Sequence, residues 1–172
     1  CLRASRAARD AIVTDRQDTP LLSANASRLS TFKLIEQAIS DAIISEDEIA
    51  DRASNELFQI RRKMRACNER VRERLNGMIH NQTFQKYLQD AIITMRAERY
   101  VLPVRAEYRS MVPGIVHDQS ATGATVFIEP MSVVEIGNEL INLVKKSDSS
   151  IISFNKNLIE DIEKLNKELG QS

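Results

Sequence analysis

The chain has 172 residues, 42% of them hydrophobic and 28% charged, with 24 basic and 24 acidic side chains and a formal net charge of zero. No overall field would draw such a chain toward a polyanion, so any affinity of that kind must be local. No stretch approaches the ~20 apolar residues of a membrane span and no basic-then-apolar leader is present, which argues against a membrane protein. Two cysteines, Cys1 and Cys67, lack the spacing of a zinc site or a disulfide framework and fit a reducing, cytoplasmic setting. Aromatic residues make up 5%, there is no Trp, and there are five Gly, so the chain reads as mainly α.

The sequence opens in a helical pattern at Cys1-Leu2-Arg3 without an initiator Met and reads as a piece of something larger. Residues 2 to 13 suggest a short helix. Pro20 enters a longer one, with Leu29, Phe32, Ile35, Ile39 and Ile43 on one face. Ser45-Glu46-Asp47-Glu48 is turn-like, and Ser54 is placed to cap the helix that follows. From Leu57 a heptad seam runs through Ile60, Met64, Cys67, Val71 and Met78, interrupted by Arg74, which predicts an arm from Ser54 to about Gln82. Gly77 weakens its far end by about 1 kcal/mol relative to Ala.

Ile92 to Met95 and Tyr100 to Val104 read as paired strands joined at Arg96-Ala97-Glu98-Arg99, with Pro103 confined to an edge because it lacks a ladder donor. Met111 to Asp118 and Ala124 to Glu129 form a second pair, joined by Gln119-Ser120-Ala121-Thr122-Gly123. After Pro130 the helical spacing returns to the end of the chain. It slips at Lys145-Lys146-Ser147-Asp148-Ser149-Ser150, where unwinding or a break is expected. The expected fold is mainly α: a helical core and lever, with a long antiparallel two-helix arm carrying a small antiparallel β clamp at its tip. The expected domains are 1–53, the helical core and lever segment; 54–86, the outgoing arm; 87–131, the clamp; and 132–172, the returning arm.

Little in the chain supports catalysis. No glycine lies in a loop ending Gly-Lys-Ser/Thr, His80 and His117 have no Cys partner for a metal, and no strained turn frames Ser120 beside His117 and Asp118 as a nucleophile. No catalytic residue, metal or cofactor is assigned. Arg61, Arg62, Lys63, Arg65, Arg70, Arg72 and Arg74 stand against only Glu69 and Glu73, which suits either a polyanion contact or a solvated helix face. Farther on, Arg96, Arg99, Arg105 and Arg109 interleave with Tyr100 and Tyr108, a set that can pair phosphates and stack on sugar or base. An edge-protected sheet with half-buried tyrosines would use the same residues.

The string Arg99-Tyr100-Val101-Leu102-Pro103-Val104-Arg105-Ala106-Glu107-Tyr108-Arg109, followed by Val112-Pro113-Gly114-Ile115-Val116-His117-Asp118-Gln119-Ser120-Ala121-Thr122-Gly123-Ala124-Thr125, resembles the clamp region of bacterial MutS proteins of the second type. Phe127-Ile128-Glu129-Pro130 continues the likeness, and Ala53 to Leu57 with Ile60-Arg61-Arg62 resembles the family's outgoing lever helix, so the likeness covers about residues 22 to 143. Asn55 stands where Pro is usual, and residues 145–172 are placed by periodicity alone. The resemblance implies a homodimeric parent with an ATPase domain, using ATP and Mg²⁺, and a C-terminal Smr endonuclease domain. It also implies that the parent grips branched DNA, suppressing homologous recombination, or engages collided ribosomes through rRNA and splits them.

For this segment the expectation is a non-catalytic clamp that contacts nucleic acid through Arg96, Arg99, Arg105, Tyr108, Arg109, His117, Gln119, Ser120 and Thr122. The competing expectation is a structural lever or dimerisation arm without such a ligand, marked by an apolar patch on Ile93, Met95, Met111 and Val112.

Overall fold

The protein is described by a computed structural model covering residues 2–14, 20–28, 31–45 and 48–170. Its chain forms two compact units, residues 1–58 and 59–172.

In the first unit, α1 (Leu2–Thr14), α2 (Pro20–Ser27) and α3 (Lys33–Ala42) precede a small hairpin of β1 (Ile43–Ser45) and β2 (Glu48–Ile49) and a 3₁₀ turn at Asp51–Ala53. The Arg6 guanidinium ties α1 to α3, its Nε donating to both oxygens of Glu36 at 3.2 and 3.1 Å. The single helix expected from Pro20 through Ile43 is two helices. The Ser27 hydroxyl donates to the Ala24 carbonyl at 2.7 Å and Arg28 N–H to the Asn25 carbonyl at 3.2 Å, closing α2 as a tight turn. Ile43 and Ile44, β-branched and less suited to a helix, leave α3 for the hairpin. Of the expected face, Leu29 lies outside the described residues, as do Glu46 and Asp47 of the expected turn.

The unit boundary falls inside α4 (Asn55–Ile79). Ser54 caps this helix as its sequence suggests, its Oγ accepting the Leu57 N–H at 3.0 Å. In the second unit its buried stripe is Ile60, Cys67, Val71, Leu75 and Ile79, so Leu75 carries the seam past the interruption expected at Arg74. The helix ends at Ile79 because Asn81 starts a new turn, α5 (Gln82–Gln85), by accepting the N–H groups of Thr83 and Phe84 at 3.0 and 3.1 Å.

Four antiparallel strands follow: β3 (Thr94–Arg96), β4 (Arg99–Arg105), β5 (Gly114–Gln119) and β6 (Thr125–Pro130), in the order β3-β4-β6-β5. A 3₁₀ helix, Ala106–Met111, links β4 to β5. Leu102 pairs with Ile128 and Val104 with Val126, and these side chains pack on the α4 stripe. Pro103, expected on an edge, lies in the interior strand β4, buried. It is tolerated because the pairing of β3 with β4 reaches only Val101, and on that side only the Pro103 carbonyl is used, accepting the Gln89 N–H at 2.9 Å.

The chain then enters α6, a continuous helix from Met131 to Gly170. No break occurs at Lys145–Ser150. The Ser149 hydroxyl donates to the Lys145 carbonyl at 2.9 Å, and Ser147 and Ser150 are buried, so this run is not polar on every side as its composition suggests.

The expected two-helix arm with a β tip is therefore overturned. One helix has 40 residues and the other 25, and their backbones hardly approach within 8 Å of each other. The sheet shares a single core with both: Val71, Leu75 and Ile79 of α4 and Val133 and Ile136 of α6 cluster with Leu102, Val104, Val126 and Ile128. Apolar periodicity cannot say what a stripe packs against: here α4 meets α6 through Arg70 and Glu139, but the sheet packs along both helices instead of standing at their tip.

Candidate nucleic-acid interface

The candidate residues separate into three groups. At the end of the sheet nearest α6, Glu129 is 1% exposed, and its carboxylate accepts Arg99 Nε at 3.0 and 2.9 Å and Arg99 Nη2 at 2.7 Å. His117, half-buried beside a bulge in β5, places Nε2 2.7 Å from the other Glu129 oxygen. Arg99 Nη2 also donates to the Val134 carbonyl at 3.2 Å, which fastens the first turn of α6 to the sheet. A Cβ on Gly137 would come within 2.8 Å of Glu129 Oε1 and 3.0 Å of Arg99 Nη2, so only glycine lets α6 approach this closely. Arg99 and His117 are thus held by a buried carboxylate, and Arg99 offers no surface to a phosphate. The one sign of this in the sequence is that Glu129 sits within the apolar run Phe127-Ile128-Glu129-Pro130.

On the sheet face opposite the core, Arg96 lies over the Phe127 ring at 4.1 Å and pairs with Asp118 at 3.0 Å. Its Nη1 also donates to the Met95 carbonyl at 2.7 Å. This cation is partly exposed but already matched by a carboxylate and an aromatic face.

The third group gathers at the far end of the sheet. β4 finishes at Arg105, opposite Thr125, and the Ala106 N–H donates to the Ala124 carbonyl at 2.9 Å, so the 3₁₀ helix abuts the 120–124 turn. Arg105 and Arg109 are exposed, and neither is engaged by a carboxylate among the described residues. Between them Tyr108 packs on Tyr87, centroids 5.4 Å apart and tilted 48°, and Tyr87 meets Phe84 edge-on at 5.9 Å. In the turn, Gln119 Nε2 donates to the Gly123 carbonyl at 3.1 Å, Ser120 Oγ accepts the Thr125 N–H at 3.0 Å, and Thr122 Oγ1 lies 3.4 Å from Ser120 Oγ. Gly123 adopts φ 74°, the left-handed conformation the turn needs. These polar side chains shape the turn from within and leave its rim exposed at Ala121 and Thr122.

Lys86, Tyr87 and Phe84 beside this end were missed by sequence reasoning, because their position depends on the Tyr87 carbonyl accepting the Arg105 N–H at 2.9 Å. The basic run of α4 is partly engaged: Arg70 lies 3.7 Å from Glu139, and Arg74 Nη1 donates to the Ser132 carbonyl at 2.9 Å. Of the apolar patch expected for a structural lever, Met95 and Met111 are exposed, but Val112 is in the core and Ile93 packs against it. Among the described residues no cluster of three His, Cys, Asp or Glu could hold a metal, and no helix is long and apolar enough to cross a membrane.

No family model matches the chain. It is similar to proteins named Endonuclease MutS2 from three organisms. The one from Alkaliphilus metalliredigens is 50% identical over 137 residues, covering 80% of this chain and 17% of the relative. That from Clostridioides difficile strain 630 is 50% identical over 145 residues, covering 83% and 18%. That from Pelotomaculum thermopropionicum is 53% identical over 131 residues, covering 76% and 17%. The chain thus spans less than a fifth of the length of these relatives.

Proposed function

The chain belongs to the MutS2 family, and from that premise we propose that it is a non-catalytic clamp-bearing segment whose sheet end at Arg105, Tyr108 and Arg109 contacts structured nucleic acid. The observation that carries this reading is the pair of exposed guanidinium groups without carboxylate partners, set on either side of an aromatic stack. Guanidinium groups pair phosphate oxygens in a forked geometry, and an aromatic face beside them adds sugar or base contact. In this reading Ser120 and Thr122 help fix the turn, and Arg99 and His117 hold the sheet against α6 rather than touch ligand.

The relatives carry the name of an endonuclease, and the parent of this segment is proposed to be one, as a homodimer that uses ATP and Mg²⁺. The residues present here do not fit a nucleotide or its metal: no glycine begins a phosphate-binding loop, and no acidic cluster gathers among the described residues. No step is assigned to those groups in this segment. The partners proposed are branched DNA, with suppression of recombination as the outcome, or collided ribosomes contacted through rRNA and split.

Arg105→Glu combined with Arg109→Glu tests the assignment. Reversing two phosphate contacts is expected to weaken binding of a four-way DNA junction or of ribosomes at least tenfold at low salt and to flatten the salt dependence. Unchanged binding in the double variant removes the sheet end as the contact. The structural-lever reading rests on exposed Met95 and Met111 and expects no salt-dependent binding.

A further inference from the structure

Beside the aromatic stack, the end of α4 and the start of α5 enclose a shallow groove of about 400 Å³ lined by Arg74, Gly77, Asn81, Thr83, Phe84 and Tyr87. Phe84 and Tyr87 stand at 79° to each other, forming an aromatic corner. Arg74 spends one nitrogen on the Ser132 carbonyl, and the Asn81 oxygen is committed to the backbone of α5, which leaves the Asn81 amide nitrogen as a donor. No carboxylate lines the groove.

Gly77 forms the open floor. A glycine inside a helix is unfavourable relative to Ala, and the usual compensation is close packing of some other group on its bare backbone. At Gly137 that compensation is visible, but at Gly77, apart from the adjoining backbone of its own helix, nothing among the described residues comes within 4 Å of where a Cβ would stand. The space is flat, bounded by an aromatic wall, a cation and an amide donor. Those are the elements that take an unstacked nucleobase: a π-face for stacking, a donor for its edge and a cation for the adjoining phosphate.

We infer that this groove is a pocket for one unpaired base of a single-stranded segment, adjacent to and distinct from the Arg105 and Arg109 contacts. The inference rests on the nucleic-acid reading above and extends it. A clamp with such a pocket favours junctions, gaps or loops that present a free base over uninterrupted duplex.

The test uses this chain with a short single strand carrying 2-aminopurine, whose fluorescence is quenched on stacking, a fully paired duplex of the same sequence and a four-way junction. The variant is Gly77→Leu, which fills the groove while removing no contact; circular dichroism and the melting midpoint confirm that it folds. Expected is quenching by the unsubstituted chain, and about a tenfold loss of single-strand affinity in Gly77→Leu, the scale of one stacked base, with binding of the fully paired duplex unchanged. Single-strand binding and quenching that are the same in Gly77→Leu overturn the pocket, as does junction binding without any quenching, and both leave the Arg105 and Arg109 reading standing. Absence of binding to any of the three nucleic acids overturns both.

Discussion

Glu129 is a carboxylate with almost no access to water, and its charge is offset by Arg99, itself 7% exposed. Removing one partner of a buried pair strands the other, so Arg99→Ala is expected to cost about 3–5 kcal/mol in chemical denaturation, whereas Arg99→Met with Glu129→Leu should recover much of that loss. Cys67 holds its proton more firmly than a surface thiol: burial pushes its pKa up from 9.0, the Glu139 carboxylate that accepts its S–H pushes the same way, and Arg70 opposes them. Below the ordinary thiol value both states are protonated and nothing is lost. Above it the unfolded chain releases a proton that the folded chain retains, so stability should fall as pH rises through 9.0 and beyond. Denaturation across that window should show a shallower fall in Cys67→Ala than in the unsubstituted chain. These roles were only partly legible in the sequence. Arg99 and His117 are cations in a basic, aromatic-rich stretch and so suggested ligand contact; the one signal against it was Glu129 within the apolar run Phe127-Ile128-Glu129-Pro130, an acid that must find cations if it points inward.

At the scale of elements, local chemistry was legible and partnership was not. Ser54 announced the start of α4, and Gln119 to Gly123 announced the turn between β5 and β6, because capping and turn formation are settled within a few residues. The position of Pro103 and the packing of α4 depend on neighbours far away in sequence. The two helical glycines separate these effects. Gly77→Ala is expected to stabilise by up to about 1 kcal/mol, the helix-propensity difference alone. Gly137→Ala is expected to destabilise by about 1–3 kcal/mol despite the same propensity gain, because its Cβ is forced against the locked Arg99 and Glu129 side chains. Opposite signs in the unfolding midpoints check both; equal signs contradict the close approach of α6 to the sheet.

Across the whole chain, 24 basic and 24 acidic residues cancel, so attraction to a polyanion has to come from where charges are left unmatched. Arg96 and Arg99 are matched by Asp118 and Glu129, and Arg105 and Arg109 are not. A segment spanning 17–18% of its relatives carries few such contacts, so its binding alone should be weak and steeply dependent on salt, with tight binding requiring two clamps on one substrate. The most direct measurement is titration of this chain against a four-way DNA junction, a linear duplex and purified ribosomes, each at two salt concentrations. A salt-sensitive preference for the junction or the ribosome over the duplex is the expected result and identifies the partner. Absence of binding to all three at high protein concentration and low salt would contradict a nucleic-acid clamp and leave a structural element of the MutS2 chain.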